Sequence, residues 1–176
     1  MRVLHINKSD VKGGAAVAAS RIVHALRGMD VEASMLVAEK SGNDASVVSI
    51  ANSRREKAKV MYYFLQEVAA FLPHEKSKTS RFAFSLARRG FNLHKHPLVL
   101  EADLIHLHWF NQGFLSLKGL EKILQLGKPV VWTCMTCGVL QAAVIMPGTV
   151  KAIRKVVAIV RSFRIPPTMI YRPCSI

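Results

Sequence analysis

Three stretches carry side chains that could do chemistry. His106-x-His108 sets two imidazoles at the two-residue period that places both on one face of a strand, and Trp109, Asn111 and Gln112 follow at once. Such a pair is a metal site only if other ligands join it, and otherwise reads as a core pair or as the edge of an active cleft, the reading preferred here. Gly13-Gly14 precedes an alanine-rich helical pattern. Two glycines there let the backbone approach an anion, which the N–H groups and positive dipole end of a helix would hold. The loop is neither G-x-G-x-x-G nor a Walker A sequence, so a tight turn without a ligand explains it equally well. Cys134-x-x-Cys137 lacks the second pair that a zinc or redox motif would need. His94 and His96, just before Pro97, read as loop residues rather than metal ligands.

The elements that must position these groups alternate. Arg2 to Asn7 reads as a strand buried on both faces, Ala15 to about Arg27 as a helix ended by Gly28, and Glu32 to Val37 as a second strand. Val47 to Ile50 fits a short third strand. Ser53 to Leu72 looks helical, with Ser53 and Glu56 spaced as a capping box. Its basic start (Arg54, Arg55, Lys57, Lys59) runs into an apolar stretch from Met61. That suits a peripheral membrane contact, although a helix packed on the domain is the simpler reading. Lys76 to Asn92 reads as a basic surface excursion, and Leu93 to Leu100 as a lead back into the sheet. Asp103 to His108, then Leu115 to Leu126 stopped by Gly127, then Val130 to Trp132 form a strand, an amphipathic helix and a buried parallel strand. The fold class is therefore α/β, a Rossmann-like parallel sheet with flanking helices. In such sheets ligands bind beyond the carboxyl ends of the strands.

The chain has 176 residues, three cysteines and a formal net charge of +14. No apolar run is long enough to span a bilayer and the N-terminus does not read as a signal peptide, so a cytoplasmic location is expected. The charge points to an anionic partner, a membrane surface rather than nucleic acid. It is unevenly placed. After Thr133 come Lys151, Arg154, Lys155, Arg161, Arg164 and Arg172, no Asp or Glu, and every cysteine of the chain.

Up to Thr133 the sequence resembles the N-terminal half of family 4 glycosyltransferases of the GT-B type, bacterial enzymes that build surface glycans. The resemblance rests on RVLHINKSDVKGGAAVAASRIVHALR, on GFNLHKHPLVLEADLIHLHWFNQGFLSLKGLEKIL and on LGKPVVWT. It implies two Rossmann-like domains facing a cleft, the N-terminal one on the acceptor side. The parent enzyme would transfer a sugar, with retention and without a metal or other cofactor, from a nucleotide-sugar to a glycan or lipid-linked acceptor. The substrate-binding residues it implies here are Gly13, Gly14, His106, His108, Trp109, Asn111 and Gln112, with no catalytic residue and no metal ligand assigned.

The family pattern carries a histidine just after VVWT, in WTMHDMW, and a TGGCHYAG segment beyond it. This chain instead reads Cys134-Met135-Thr136-Cys137-Gly138. Loss of one base at the end of the Thr133 codon accounts for the break. Because methionine has a single codon, restoring the base forces Asp from Met135-Thr136 and Ala from Met146-Pro147, as the family pattern has them; other positions depend on free wobble choices. Residues 134–176 are thus read as an out-of-frame basic tail on a partial GT-B N-terminal domain, residues 1–133, and the chain alone is expected to be inactive. An alternative is a small α/β module that docks on anionic membrane through the amphipathic stretch Val150 to Phe163. A weaker one is a nucleotide-binding Rossmann protein, for which Glu39 is the nearest ribose-binding carboxylate.

Overall fold

A computed structural model of the chain describes residues 1–74 and 86–133. They form a parallel sheet of five strands, β1 (Arg2–Ser9), β2 (Glu32–Glu39), β3 (Val47–Ser49), β4 (Leu104–Leu107) and β5 (Val130–Trp132), in the order β3-β2-β1-β4-β5. Helices α1 (Gly14–Arg27), α2 (Arg54–Phe71), α3 (Pro97–Glu101) and α4 (Leu117–Leu124) connect them. The fold is the expected Rossmann-like α/β class. Residues 134–176, read from the sequence as an out-of-frame tail with an amphipathic stretch from Val150, lie outside the described residues, as does most of the basic excursion after His74.

Strand alternation divides the core in two. Leu4 and Ile6 of β1 point to the same side as Leu36, Ile105 and Leu107, where Phe110, Phe114, Leu115, Leu120 and Ile123 cover them. Val3, Ala33, Met35 and Val37 point to the other side, against Ala19 and Val23 of α1. A two-sided core explains why β1 reads as a continuous apolar run, and its residues from Val3 to Ile6 are all buried. His5 sits in that run, on the α1 side, opposite His106 in the β1–β4 register.

Local chemistry sets the element ends. Ser53 caps α2, its hydroxyl accepting from the Glu56 N–H while the Glu56 carboxylate accepts from the Ser53 N–H, the reciprocal box the sequence predicts. Ser116 caps α4 by its hydroxyl alone, which accepts from the Gly119 N–H. Gly127 ends the turn after α4 at φ +71, a conformation that favours glycine. Gly28 ends α1 without using that freedom: it stays right-handed at φ −67, and Asp30 takes the left-handed position at φ 58.

Two expectations change. The segment from Leu93 to Leu100 is not a direct lead into the sheet but a 3-10 turn (Leu93–Lys95) followed by α3. Pro97 opens α3 at its first position and the His96 imidazole accepts from the Leu98 N–H at 3.3 Å. β5 is parallel as expected but not buried on both faces. It is the outer strand of the described sheet, and Val131, which registers with His106, is 41 % exposed.

Candidate functional site

The strand order reverses at β1, whose neighbours are β2 on one side and β4 on the other. The crevice beyond the carboxyl ends of β1 and β4 is where sheets of this kind bind ligands. Two loops meet there. The backbone N–H of Lys8 donates to the Trp109 carbonyl at 2.7 Å, and the Trp109 N–H donates to Asn7 Oδ1 at 2.9 Å. Lys8 Nζ then donates to the Gln112 carbonyl at 3.0 Å and lies 4.7 Å from the centroid of the Phe64 ring. Burial lowers the pKa of this ammonium, the Glu39 carboxylate works against that shift, and Lys12 adds to it. A partly desolvated cation at a switch point is suited to an anion.

Gly13 and Gly14 flank the same crevice. Gly13 has φ +87, which a residue with a side chain rarely adopts, and a Cβ built on either glycine meets nothing within 4 Å. No side chain caps α1 and no acidic residue stands in its first turn. Among the described residues its leading N–H groups thus have no side-chain cap and no first-turn carboxylate, an arrangement suited to an anion. Lys12 of this loop pairs with Glu39 at 3.2 Å. β2 runs two residues further than the sequence pattern indicates, which puts Glu39 at its end, where a ribose-binding carboxylate stands in dinucleotide folds.

The other predicted residues divide. Trp109 and Gln112 are half-buried at the crevice, and Gln112 holds a left-handed φ of 58 beside Gly113 at φ 81. This turn is pressed on α2: a Cβ on Gly113 would lie 2.7 Å from the Phe64 nitrogen. Asn111 is buried beneath it, and its amide nitrogen has no hydrogen-bond partner.

His106 and His108 point to the α1 side of the sheet rather than out of its end, and there they meet His5. Ring centroids are 4.2 Å apart for His106 and His108, 4.8 Å for His5 and His106, and 5.2 Å for His5 and His108. His5 Nδ1 and His108 Nε2 share a hydrogen bond of 2.9 Å, and His106 Nε2 bonds Thr133 Oγ1 at 2.7 Å. Burial, with the neighbouring imidazoles adding to it, pushes His5 down to about 3; burial, then His106, pushes His108 down to about 4; burial also lowers His106. All three are neutral at neutral pH. The sequence pattern shows His106 and His108 as a pair but not His5, which is some hundred positions away in a run that reads as plain core. Only parallel pairing of β1 with β4 joins them. Lys8 and Asn7 escape notice for the same reason.

No family model, no curated protein and no solved structure matches the chain.

Proposed function

We propose that residues 1–133 form the acceptor-side wall of a retaining glycosyltransferase of the GT-B type, whose parent enzyme takes its sugar from a nucleotide-sugar. The observation that supports this most is the bonding of Lys8, near the end of β1 where the chain turns toward the uncapped α1, to the Trp109–Gln112 turn at the carboxyl end of β4. A diphosphate oxygen suits the glycine loop and the lysine, and the half-buried Trp109 and Gln112 offer a stacking face and an amide to a sugar ring. Residues 1–133 would supply one wall of such a cleft and by themselves are expected to bind without turning over.

Gly14→Asp tests the reading. Glycine 14 meets open space, and an aspartate at the start of α1 favours the helix dipole while repelling an anion. Titration with UDP-glucose, GDP-mannose and the corresponding diphosphates, followed by NMR, should show weak binding by the native chain that Gly14→Asp abolishes while its melting temperature stays the same or rises. Equal binding by the variant, or none by the native chain, rejects the anion site. Sugar transfer by the purified chain would contradict the expectation of inactivity.

A second reading, attachment to anionic membrane, is supported by α2. Met61, Tyr62 and Leu65 are 56, 57 and 55 % exposed on one side of the helix, beyond the exposed Arg54, Arg55 and Lys57 of its first turn. Co-sedimentation with phosphatidylglycerol vesicles should fall with added salt and be lost in Met61→Asp/Leu65→Asp. Binding unchanged in that variant removes α2 from the reading.

A further inference from the structure

We infer that His5, His106 and His108 form a site for one divalent transition-metal ion, with zinc the best match, held by three neutral imidazoles between β1 and β4. One ring nitrogen of each lies within 4.8 Å of one from each of the others. His5 and His106 are register partners, and His108, the first residue past β4, is held beside them by its N–H, which donates to the Ile6 carbonyl at 3.0 Å.

The proton inventory shows that the cluster does not satisfy itself. In the bond between His5 Nδ1 and His108 Nε2 one nitrogen donates and the other accepts. Whichever donates, the two outer nitrogens, His5 Nε2 and His108 Nδ1, are left as one N–H and one lone pair, and both are buried without a partner among the described residues. A cation between the inner nitrogens would use both lone pairs; the donor ring would move its proton to its outer nitrogen without releasing it, so both outer nitrogens would then be N–H donors that the ion itself does not serve. The 2.9 Å between those nitrogens is near the edge of about 3.3 Å in a tetrahedral site with zinc–nitrogen bonds of about 2.0–2.1 Å. His106 would bind through Nδ1, because its Nε2 is bonded to Thr133 Oγ1. That outer hydrogen bond is the support a metal-binding imidazole commonly has.

The donor set selects the ion. Three imidazoles with no carboxylate among them suit zinc, cobalt, nickel or copper and do not suit magnesium or calcium, which take oxygen ligands. The ion would tie β1 to β4 and hold the base of the crevice rigid. This role is independent of sugar transfer, and the site stands or falls apart from the glycine loop.

The test uses the full chain with Cys134, Cys137 and Cys174 changed to serine, so that thiols do not compete, after treatment with a chelator. Zinc titration by calorimetry should give one ion per chain and a higher melting temperature, since an ion that binds only the folded state stabilises it. Cobalt should give the visible absorption of a low-symmetry nitrogen site. His106→Gln, a half-buried position where folding is least at risk, should weaken zinc by more than about tenfold, as should His108→Gln, while the exposed control His24→Gln should not. Far-ultraviolet dichroism confirms folding; if His108→Gln does not fold, His106→Gln decides. No stoichiometric binding by the cysteine-free chain, or native affinity in His106→Gln, overturns the inference.

Discussion

Imidazoles are the groups here whose environment departs furthest from water. With His5 at about 3 and His108 at about 4, against an ordinary value of 6.5, the folded state resists protons that the unfolded chain accepts. The sign follows. Above pH about 6.5 both states are neutral and these groups do not alter stability, but as pH falls below it the unfolded state gains protons first and folding stability is lost progressively down to about 3. In chelator-treated protein the melting temperature should therefore drop steeply between about pH 6.5 and 5, before ordinary carboxylates titrate. His5→Met should flatten that limb; an unchanged slope would show that other groups carry it. Asp103 behaves oppositely in origin. Its carboxylate accepts from the Arg2 N–H at 2.7 Å, the chief reason its pKa is lowered, and its share of stability is lost only in more acid solution.

Capping and close packing set the stability of single elements. Ser53→Ala removes one half of the reciprocal box that starts α2 and should cost about 1 kcal/mol in urea unfolding. Gly113→Ala should cost more, about 1–3 kcal/mol, because the new methyl meets α2 backbone at 2.7 Å and the residue is held at φ +81. If Gly113→Ala is neutral, the turn after β4 does not rest on α2 as described. Both the capping box and the glycine stop after α4 were legible in the sequence, since each depends on residues a few positions apart. The Gly113 contact was not, since it joins a turn to a helix fifty positions earlier. Glu67 shows the same limit: in the sequence it is a helix acid, and in the fold it is buried and accepts from the Arg89 N–H at 2.8 Å.

For the molecule as a whole, the outer strand β5 sets the exposure to self-association. A parallel outer strand of two valines and a tryptophan, whose Val131 is 41 % exposed, offers a pairing edge among the described residues. Val131→Lys should slow concentration-dependent aggregation, measured by light scattering, without lowering the melting temperature by more than about 0.5 kcal/mol equivalent. No helix among the described residues is long and apolar enough to cross a membrane, so any membrane contact made by α2 is a surface one.

Periodicity and turn chemistry in the sequence determined the class of fold, the five strands and the helices α1, α2 and α4, because apolar alternation, caps and glycine stops are local signals. They also marked Gly13, Gly14 and the His106–Gln112 run as places to look. Only the tertiary structure decided which of these share a site. Strand order set Lys8 and Asn7 against Trp109 at the end of the strand that leads into α1. The β1–β4 register placed His5 against His106 and His108 and turned that trio away from the crevice, toward the α1 side. A contact between residues a hundred positions apart is fixed by strand pairing, and no local pattern encodes it.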